Sequence, residues 1–253
     1  MIKLIVTDLD NTLLDSQKTI SPFTIDILRQ CQKKGLMIAF ATARPERATK
    51  KYQRDFTPDF IIANNGASIE KNGEVIFNNP ISRNILLRLI PELLSHQEIT
   101  CITVEAGDCL YTTYDGPPWE EGWNPIYCDF EAIPDKEITK ISTECENIAT
   151  IQQILRNYPI LHLYDNSGER WQQIMLASST KFNAISQIAD AYQLGISSIV
   201  AFGDDSNDID MIRNCGVGIA VSNAIDSAKN IADEICGSNS DDGVAKWLAI
   251  NLL

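Results

Sequence analysis

The chain has 253 residues, and its composition of 44% hydrophobic and 22% charged residues is typical of a globular protein, with a length that fits one large domain or a domain with an insert. Its net charge of -13 argues against nucleic acids and membrane surfaces as partners, because binding to either requires basic patches. The seven cysteines have no CxxC spacing and there are only two histidines, which disfavours a zinc cluster. The sequence shows no signal-peptide or membrane-spanning pattern, so we expect a cytoplasmic protein with reduced thiols.

The N-terminal part of the chain predicts strands that alternate with helices. The predicted elements are strands at 2–7, 36–41 and 60–63 and helices at 22–34 and 45–55. Ser21 followed by Pro22 resembles a helix cap with proline at the first helical position, and Gly35 is a typical stop. This alternation is typical of a parallel sheet with crossover helices.

The middle of the chain predicts a different architecture. The expected elements are helices at 83–95 and 147–157 and strands at 100–105, 109–114, 160–165 and 171–176. The turn sequences Ala-Gly-Asp at 106–108 and Asn-Ser-Gly at 166–168 separate pairs of these strands and predict hairpins, which pair antiparallel. Residues 81–179 are therefore expected to form an inserted α+β domain.

The C-terminal part returns to the alternating pattern. The expected elements are helices at 181–194, 208–214, 224–231 and 241–251 and strands at 198–202 and 217–221. Residues 1–80 and 180–253 together are expected to form one core. The predicted fold class is α/β, with a doubly wound parallel sheet as the core and the α+β insert between its two parts.

Two groups of acidic residues follow predicted strands. Asp8 and Asp10 come directly after the first strand, and the segment Gly-Asp-Asp-Ser-Asn-Asp at 203–208 follows the strand at 198–202. Ligands of open α/β sheets bind beyond the carboxyl ends of the strands. Each segment alone also fits a solvated loop or a helix cap. If the two groups converge, their repulsion calls for a cation, and their oxygen ligands suit magnesium.

Two further positions could contribute to a phosphate site. The segment Thr-Ala-Arg at 42–44 follows a predicted strand, and a Thr42 hydroxyl with backbone amides at a helix start can hold phosphate oxygens. An ordinary helix cap at Thr42 is the simpler interpretation of that segment alone. Lys181 starts a predicted helix; it is either a surface lysine or, in an acidic crevice, a partner for a transferring phosphoryl group.

In this order, the four segments resemble the motifs of the haloacid dehalogenase (HAD) superfamily. The segments Asn-Gly-Ala at 65–67, Gly-Val-Gly-Ile-Ala at 216–220, Asn-Ala at 223–224 and Asp-Gly-Val-Ala at 242–245 are similar to its Cof-type phosphatase branch. That branch inserts a cap domain between the second and third motifs, where the predicted insert lies. The resemblance implies a HAD-like core, with a cap that determines substrate specificity.

The resemblance also implies a role for each matched residue. Asp8 is expected to be the nucleophile that forms an aspartyl-phosphate, and Asp10 the acid for the leaving alcohol and then the base for water. The implied magnesium ligands are Asp8, the Asp10 backbone carbonyl and Asp204, with Asp208 in support. The implied phosphate contacts are the Leu9 amide, Thr42, Ala43, Lys181 and Asn207. The expected substrate is a small phosphorylated metabolite such as a sugar phosphate.

Two positions depart from the family pattern, because Ala43 and Phe182 stand where glycine is usual. Two other functions remain open, namely a phosphoryl-transferring mutase of the same superfamily and an Asp-phosphorylated signalling module. The mutase usually has a helical cap. A signalling module is shorter than this chain and has no use for an acid and base two residues after its phosphorylated aspartate.

Substrate specificity is expected to come from the insert. Candidate residues, each of which could instead be core or surface, are Glu105, Tyr114, Trp119, Trp123, His162 and Trp171. Trp119 and Trp123 lie in a loop rich in proline and glycine, a setting in which functional residues are common. We hypothesise that this loop borders the mouth of the active site.

Overall fold

The computed structural model describes residues 1–115, 125–128, 130, 133, 136–165 and 171–253. The chain divides into two compact units, one formed by residues 1–77 with 180–253 and the other by residues 78–179. Trp119 and Trp123 lie outside the described residues. Within the described ranges, no helix has the length and apolar character needed to cross a membrane.

The described elements are numbered in chain order. The strands are β1 (Leu4–Thr7), β2 (Met37–Ala41), β3 (Phe60–Ala63), β4 (Ser68–Lys71), β5 (Glu74–Asn78), β6 (Ile99–Ala106), β7 (Cys109–Thr112), β8 (Pro125–Tyr127), β9 (Ile138–Cys145), β10 (Leu161–Asp165), β11 (Trp171–Leu176), β12 (Ile199–Gly203), β13 (Val217–Val221) and β14 (Glu234–Cys236). The helices are α1 (Pro22–Lys33), α2 (Glu46–Thr49), α3 (Arg83–Leu94), α4 (Ile148–Leu155), α5 (Lys181–Ala191), α6 (Ile209–Asn214), α7 (Asp226–Lys229) and α8 (Gly243–Asn251). Short helical turns lie at Leu9–Leu13, Tyr52–Arg54, Asn64–Gly66, Ile196–Ser198, Ser206–Asp208 and Asn239–Asp241.

The first unit contains an eight-stranded sheet in the order β14-β13-β12-β1-β2-β3-β4-β5. The strands from β14 to β3 are parallel, and β4 is antiparallel to β3. The strand order reverses at β1, because the chain adds β2 and β3 on one side of β1 and returns with β12 on the other. Such a reversal opens a crevice at the carboxyl ends of the strands, and Asp8 follows β1 at that point.

Apolar side chains cover both faces of the central strands of this sheet. Ile5 belongs to a buried cluster with residues of α1 and α8, whereas its neighbours Leu4 and Val6 belong to a second cluster with residues of α5. Strands buried on both faces appear in the sequence as continuous apolar runs. The predicted α/β class with a doubly wound parallel sheet is therefore confirmed.

The helix expected at 45–55 is shorter in the structure. It consists of α2 and a separate turn at Tyr52–Arg54. The buried Thr49 hydroxyl donates to the Glu46 carbonyl at 2.8 Å. Such a bond from a side chain to the backbone competes with continuation of the helix.

The described part of the second unit holds a six-stranded sheet in the order β10-β11-β9-β6-β7-β8. The expected hairpins β6-β7 and β10-β11 are antiparallel. Helices α3 and α4 share one apolar cluster with residues of this sheet. Strand β9 lies between β6 and β11 but was not predicted, because its buried side chains include Thr139, Lys140 and Thr143 and obscure the apolar pattern. Strands β4, β5, β8 and β14 were also not predicted.

Candidate active site

The turn after β1 holds two carboxylates at the end of the central strand. Buried Leu9 and Leu13 anchor the turn, and Asn11 adopts a positive φ of 60° within it. Asparagine tolerates this left-handed conformation better than most residues. The Asn223 side chain donates to the Asn11 carbonyl at 2.8 Å. Asp8 and Asp10 are therefore fixed by packing and by a bond from a distant part of the chain.

Lys181 is completely buried at the start of α5. Its Nζ donates to Asp8 Oδ1 at 2.6 Å and to Asp208 Oδ1 at 2.5 Å. Burial alone would lower the pKa of Lys181, but the Asp208 and Asp8 carboxylates raise it above its ordinary value. The ammonium therefore stays charged between two carboxylates, and the surface-lysine interpretation is wrong.

The loop after β12 brings two further carboxylates to the same place. Asp208 Oδ2 accepts the backbone N–H groups of Asp204 at 2.9 Å and Asp205 at 3.2 Å, while its other oxygen accepts from Lys181. The Thr12 hydroxyl donates to Asp204 Oδ1 at 2.5 Å. The turn after β1 and the loop after β12 are thus joined by direct hydrogen bonds.

Gly203 makes this arrangement possible, because a Cβ at that position would overlap the Asp208 side chain. We expect Gly203→Ala to displace Asp208 and to destabilise the protein by about 1–3 kcal/mol, as overpacking commonly does. Catalytic activity should be largely lost even though the protein stays folded, because Asp208 accepts a hydrogen bond from Lys181. Unfolding and activity measurements on this variant and on Gly195→Ala provide the check, since a Cβ at Gly195 meets only the Ser197 hydroxyl at 3.6 Å. Equal activity in the two variants would contradict the prediction.

The three buried carboxylates fit a divalent cation. Oxygen atoms of Asp8, Asp204 and Asp208 lie within 4.8 Å of one another. Burial and the Asp208 charge raise the pKa of Asp204 to about 7. Burial also raises the pKa of Asp8 well above its ordinary value, although Lys181 opposes the effect. One ammonium does not balance three carboxylates, and hard cations prefer oxygen ligands of this kind.

The Asp10 carboxylate contacts two other basic side chains, Arg44 and Lys18. Arg44 donates from Nε to Asp10 Oδ2 at 2.6 Å and from a terminal nitrogen to Oδ1 at 2.8 Å, and Lys18 Nζ lies 2.9 Å from Oδ1. Burial would raise the pKa of Asp10, but these contacts lower it to about 2. The sequence assigned no role to Arg44 or Lys18. Lys18 lies in a surface turn, and no sequence signal connects it with Asp10.

Three of the expected phosphate-binding residues, Leu9, Thr42 and Asn207, follow strands β1, β2 and β12. Thr42 is buried after β2, and its hydroxyl accepts the Arg44 backbone N–H at 3.1 Å. The Asn207 side chain donates to Asn65 Oδ1 at 2.9 Å, a contact that the sequence did not predict. The Leu9 side chain is buried within the turn after β1.

The two departures from the family pattern are accommodated without strain. Ala43 is not among the described residues with positive φ, so a side chain there has no conformational penalty. Phe182 packs against the apolar cluster around α5. Its backbone N–H donates to Asp210 at 3.2 Å.

Comparisons with known proteins show which family the chain resembles. The family model of haloacid dehalogenase-like hydrolases matches residues 5–248. A protein of Haemophilus influenzae is 27% identical over 255 residues, which cover 97% of this chain and 96% of its own. The 5-amino-6-(5-phospho-D-ribitylamino)uracil phosphatase of Bacillus subtilis is 25% identical over 262 residues, with 97% and 96% covered. A solved phosphatase of the haloalkanoate enzyme superfamily from Bacteroides thetaiotaomicron has a TM-score of 0.87 and 25% identity, and the match covers 99% of this chain and 95% of that one.

Proposed function

The chain belongs to the haloacid dehalogenase-like hydrolases and is an enzyme of their phosphatase type, and on this premise we propose that it hydrolyses small phosphomonoesters with Asp8 as the nucleophile. The observation that carries the proposal is the buried Lys181 ammonium between Asp8 and Asp208, with Asp204 within reach of a shared cation. A carboxylate can approach an anionic ester only where positive charge is concentrated.

In the first half of the proposed reaction, an Asp8 oxygen forms a bond to phosphorus while the bond to the ester oxygen breaks. The ester oxygen leaves as an alcohol after it takes a proton from Asp10. Lys181, already bonded to Asp8, stabilises the phosphoryl charge as it passes to the enzyme. Donation from Asp10 requires that it carries a proton, so it must first leave Arg44 and Lys18.

In the second half, water attacks the phosphorus of the aspartyl-phosphate. Asp10 accepts the proton of this water, the bond between phosphorus and Asp8 breaks, and inorganic phosphate leaves. The contacts with Arg44 and Lys18 keep Asp10 ionised, which is the form that this step requires. Asp8 returns as a free carboxylate beside Lys181.

The cofactor that we assign to the carboxylate cluster is magnesium. The ligands that the family pattern assigns are the Asp8 carboxylate, the Asp10 backbone carbonyl, Asp204 and Asp208. When bound, the ion supplies positive charge to the phosphoryl oxygens. The concentration of oxygen ligands and the raised pKa values of Asp8 and Asp204 support this assignment.

We expect magnesium to stabilise the folded protein, because it relieves repulsion among the three carboxylates. At about one hundred times its dissociation constant, a ligand adds about 2.7 kcal/mol, which raises the Tm of a chain of this size by roughly 5–10 °C. Asp204→Asn should remove most of this shift, whereas Glu74→Gln, on an exposed edge strand, should retain it. Thermal unfolding with magnesium and with EDTA provides the measurement. An equal shift in both variants would contradict the assigned ligands.

The proposed substrates are small phosphorylated metabolites, such as phosphates of sugars or sugar alcohols. The Bacillus subtilis relative, whose name specifies a phosphoribityl compound, supports this class. We propose that the insert at 81–179 acts as the specificity domain. The cytoplasmic location expected from the sequence remains a prediction.

Hydrolysis of a panel of phosphorylated metabolites, with magnesium or with EDTA, tests the proposed function. We expect magnesium-dependent release of inorganic phosphate from several sugar phosphates. The panel should include sugar monophosphates mixed with the corresponding bisphosphate, because a mutase would interconvert these without releasing phosphate. If the protein released phosphate from none of the esters, the proposal would be overturned.

A further inference from the structure

The loop Asn64–Gly66 follows β3 and has an unusual backbone. Asn64, Asn65 and Gly66 have φ values of 46°, 51° and 97°, so three consecutive residues lie in the left-handed region. Asn64 is completely buried and Asn65 is 1% exposed. Strained backbone of this kind persists only where surrounding contacts determine it, and it is concentrated at functional sites. The sequence identified Asn65 and Gly66 only as part of a family signature, without a role.

The loop is bonded to both sides of the proposed phosphate site. The Asn65 backbone N–H donates to the Thr42 carbonyl at 2.9 Å, and the Asn64 N–H donates to the Arg44 carbonyl at 2.9 Å. The Asn65 side chain reaches the loop after β12, where its Oδ1 accepts from Asn207 Nδ2 at 2.9 Å. Asn65 therefore connects the segment that contains Thr42 with the residue expected to bind phosphate from the opposite side.

The same loop also contacts the start of α5. A Cβ on Gly66 would overlap the backbone carbonyl of Thr180, the residue before Lys181. The close approach is possible only with glycine, which also adopts the positive φ without penalty. The backbone around Asn65 is thus held between the segment after β2 and the N-terminus of α5, and its side chain has little freedom to move.

We propose that Asn65 is a positioning residue that orients the Asn207 side-chain amide toward the substrate phosphate, an inference that rests on the proposed phosphatase function. One N–H of the Asn207 amide is used by Asn65, which leaves the second N–H for a phosphoryl oxygen. While Asn65 Oδ1 faces Asn207, a rotation of the Asn207 amide by half a turn would bring two oxygen atoms together, and this repulsion favours the donor orientation. Asn65 itself does not touch the substrate.

The test uses Asn65→Gly, because glycine keeps the left-handed backbone and removes only the side chain. Inhibition constants for inorganic phosphate, KM, kcat and Tm are measured with magnesium for the wild type, Asn65→Gly, Asn207→Ala and the double variant. We expect Asn65→Gly to weaken phosphate binding about tenfold, the loss of one hydrogen bond to a charged group. The control is Asn72→Gly, which also replaces an asparagine of positive φ but lies in an exposed turn between β4 and β5.

The double variant distinguishes positioning from a general structural role. If Asn65 acts through Asn207, phosphate affinity in the double variant equals that of Asn207→Ala. Additive losses of phosphate affinity in the double variant would overturn the inference, and so would a lower Tm with an unchanged inhibition constant in Asn65→Gly. Neither result would affect the phosphatase activity of the wild type. A wild type that hydrolyses no ester and does not bind phosphate would overturn the proposed function and this inference together.

Asn65→Asp provides a second variant in case the glycine variant does not fold. Its carboxylate keeps an acceptor for Asn207 Nδ2, and aspartate also tolerates positive φ. In the Asn65→Asp background, we expect Asn207→Ala to weaken phosphate binding as much as it does in the wild type. In the Asn65→Gly background, the same substitution should weaken phosphate binding much less. An effect of the wild-type size in both backgrounds would show that Asn65 does not act through Asn207.

Discussion

Asp8→Asn is expected to reduce phosphate-ester hydrolysis by about 10⁴-fold or more, as removal of a catalytic nucleophile commonly does. An amide oxygen cannot take over the attack on phosphorus. The protein should remain folded, because a neutral side chain removes the burial penalty that raises the pKa of Asp8. Steady-state hydrolysis together with thermal unfolding provides the measurement.

Two controls make the Asp8→Asn result specific. Asp8→Ala excludes recovery of aspartate by deamidation, and Asp26→Asn changes an exposed carboxylate on α1. We expect Asp8→Ala to be inactive and Asp26→Asn to match the wild type. Wild-type activity in both Asp8 variants would show that another residue is the nucleophile.

Lys181→Met is expected to reduce activity by about 10²–10³-fold, comparable to the loss of one donor that stabilises transition-state charge. It should also destabilise the metal-free protein by about 3–5 kcal/mol, because Asp8 and Asp208 lose the ammonium that both accept from. Magnesium should restore part of this stability, since it neutralises the same carboxylates, but it should not restore the activity.

The matched control for Lys181→Met is Lys246→Met, which removes an exposed lysine on α8. We expect the control to retain wild-type activity and stability, since exposed charges contribute little. Denaturant unfolding with and without magnesium separates the two effects in Lys181→Met. If Lys181→Met were as stable as Lys246→Met in the absence of metal, the role of Lys181 as the buried counterion would be contradicted.

The sequence predicted the core strands well because of where they lie. Strands such as β1 and β3 are buried on both faces of the sheet, so their apolar runs are continuous and easily identified. Strand β9 carries buried polar side chains such as Lys140, and β14 has only three residues, so neither gives a clear periodic signal. Their place in the fold is determined by tertiary pairing, which a single sequence does not contain.

The same distinction applies to the candidate site. Asp8 and Asp204 were identifiable because each follows an apolar strand and matches a family motif. The contacts of Asp10 with Arg44 and of Asn65 with Asn207 join residues that are 34 and 142 positions apart. Such pairs have no fixed spacing, so only the three-dimensional structure shows that they meet.

The formation of an aspartyl-phosphate on Asp8 is tested most directly by a pre-steady-state burst with p-nitrophenyl phosphate in the Asp10→Asn variant. The p-nitrophenolate leaving group needs no proton from Asp10, so the first half of the reaction should proceed, whereas the second half lacks its base. We predict a burst of one p-nitrophenolate per enzyme with magnesium, and one phosphoryl group on the peptide that contains Asp8 by mass spectrometry. If the wild type hydrolysed p-nitrophenyl phosphate but Asp10→Asn gave neither a burst nor a phosphorylated peptide, an aspartyl-phosphate on Asp8 would be contradicted.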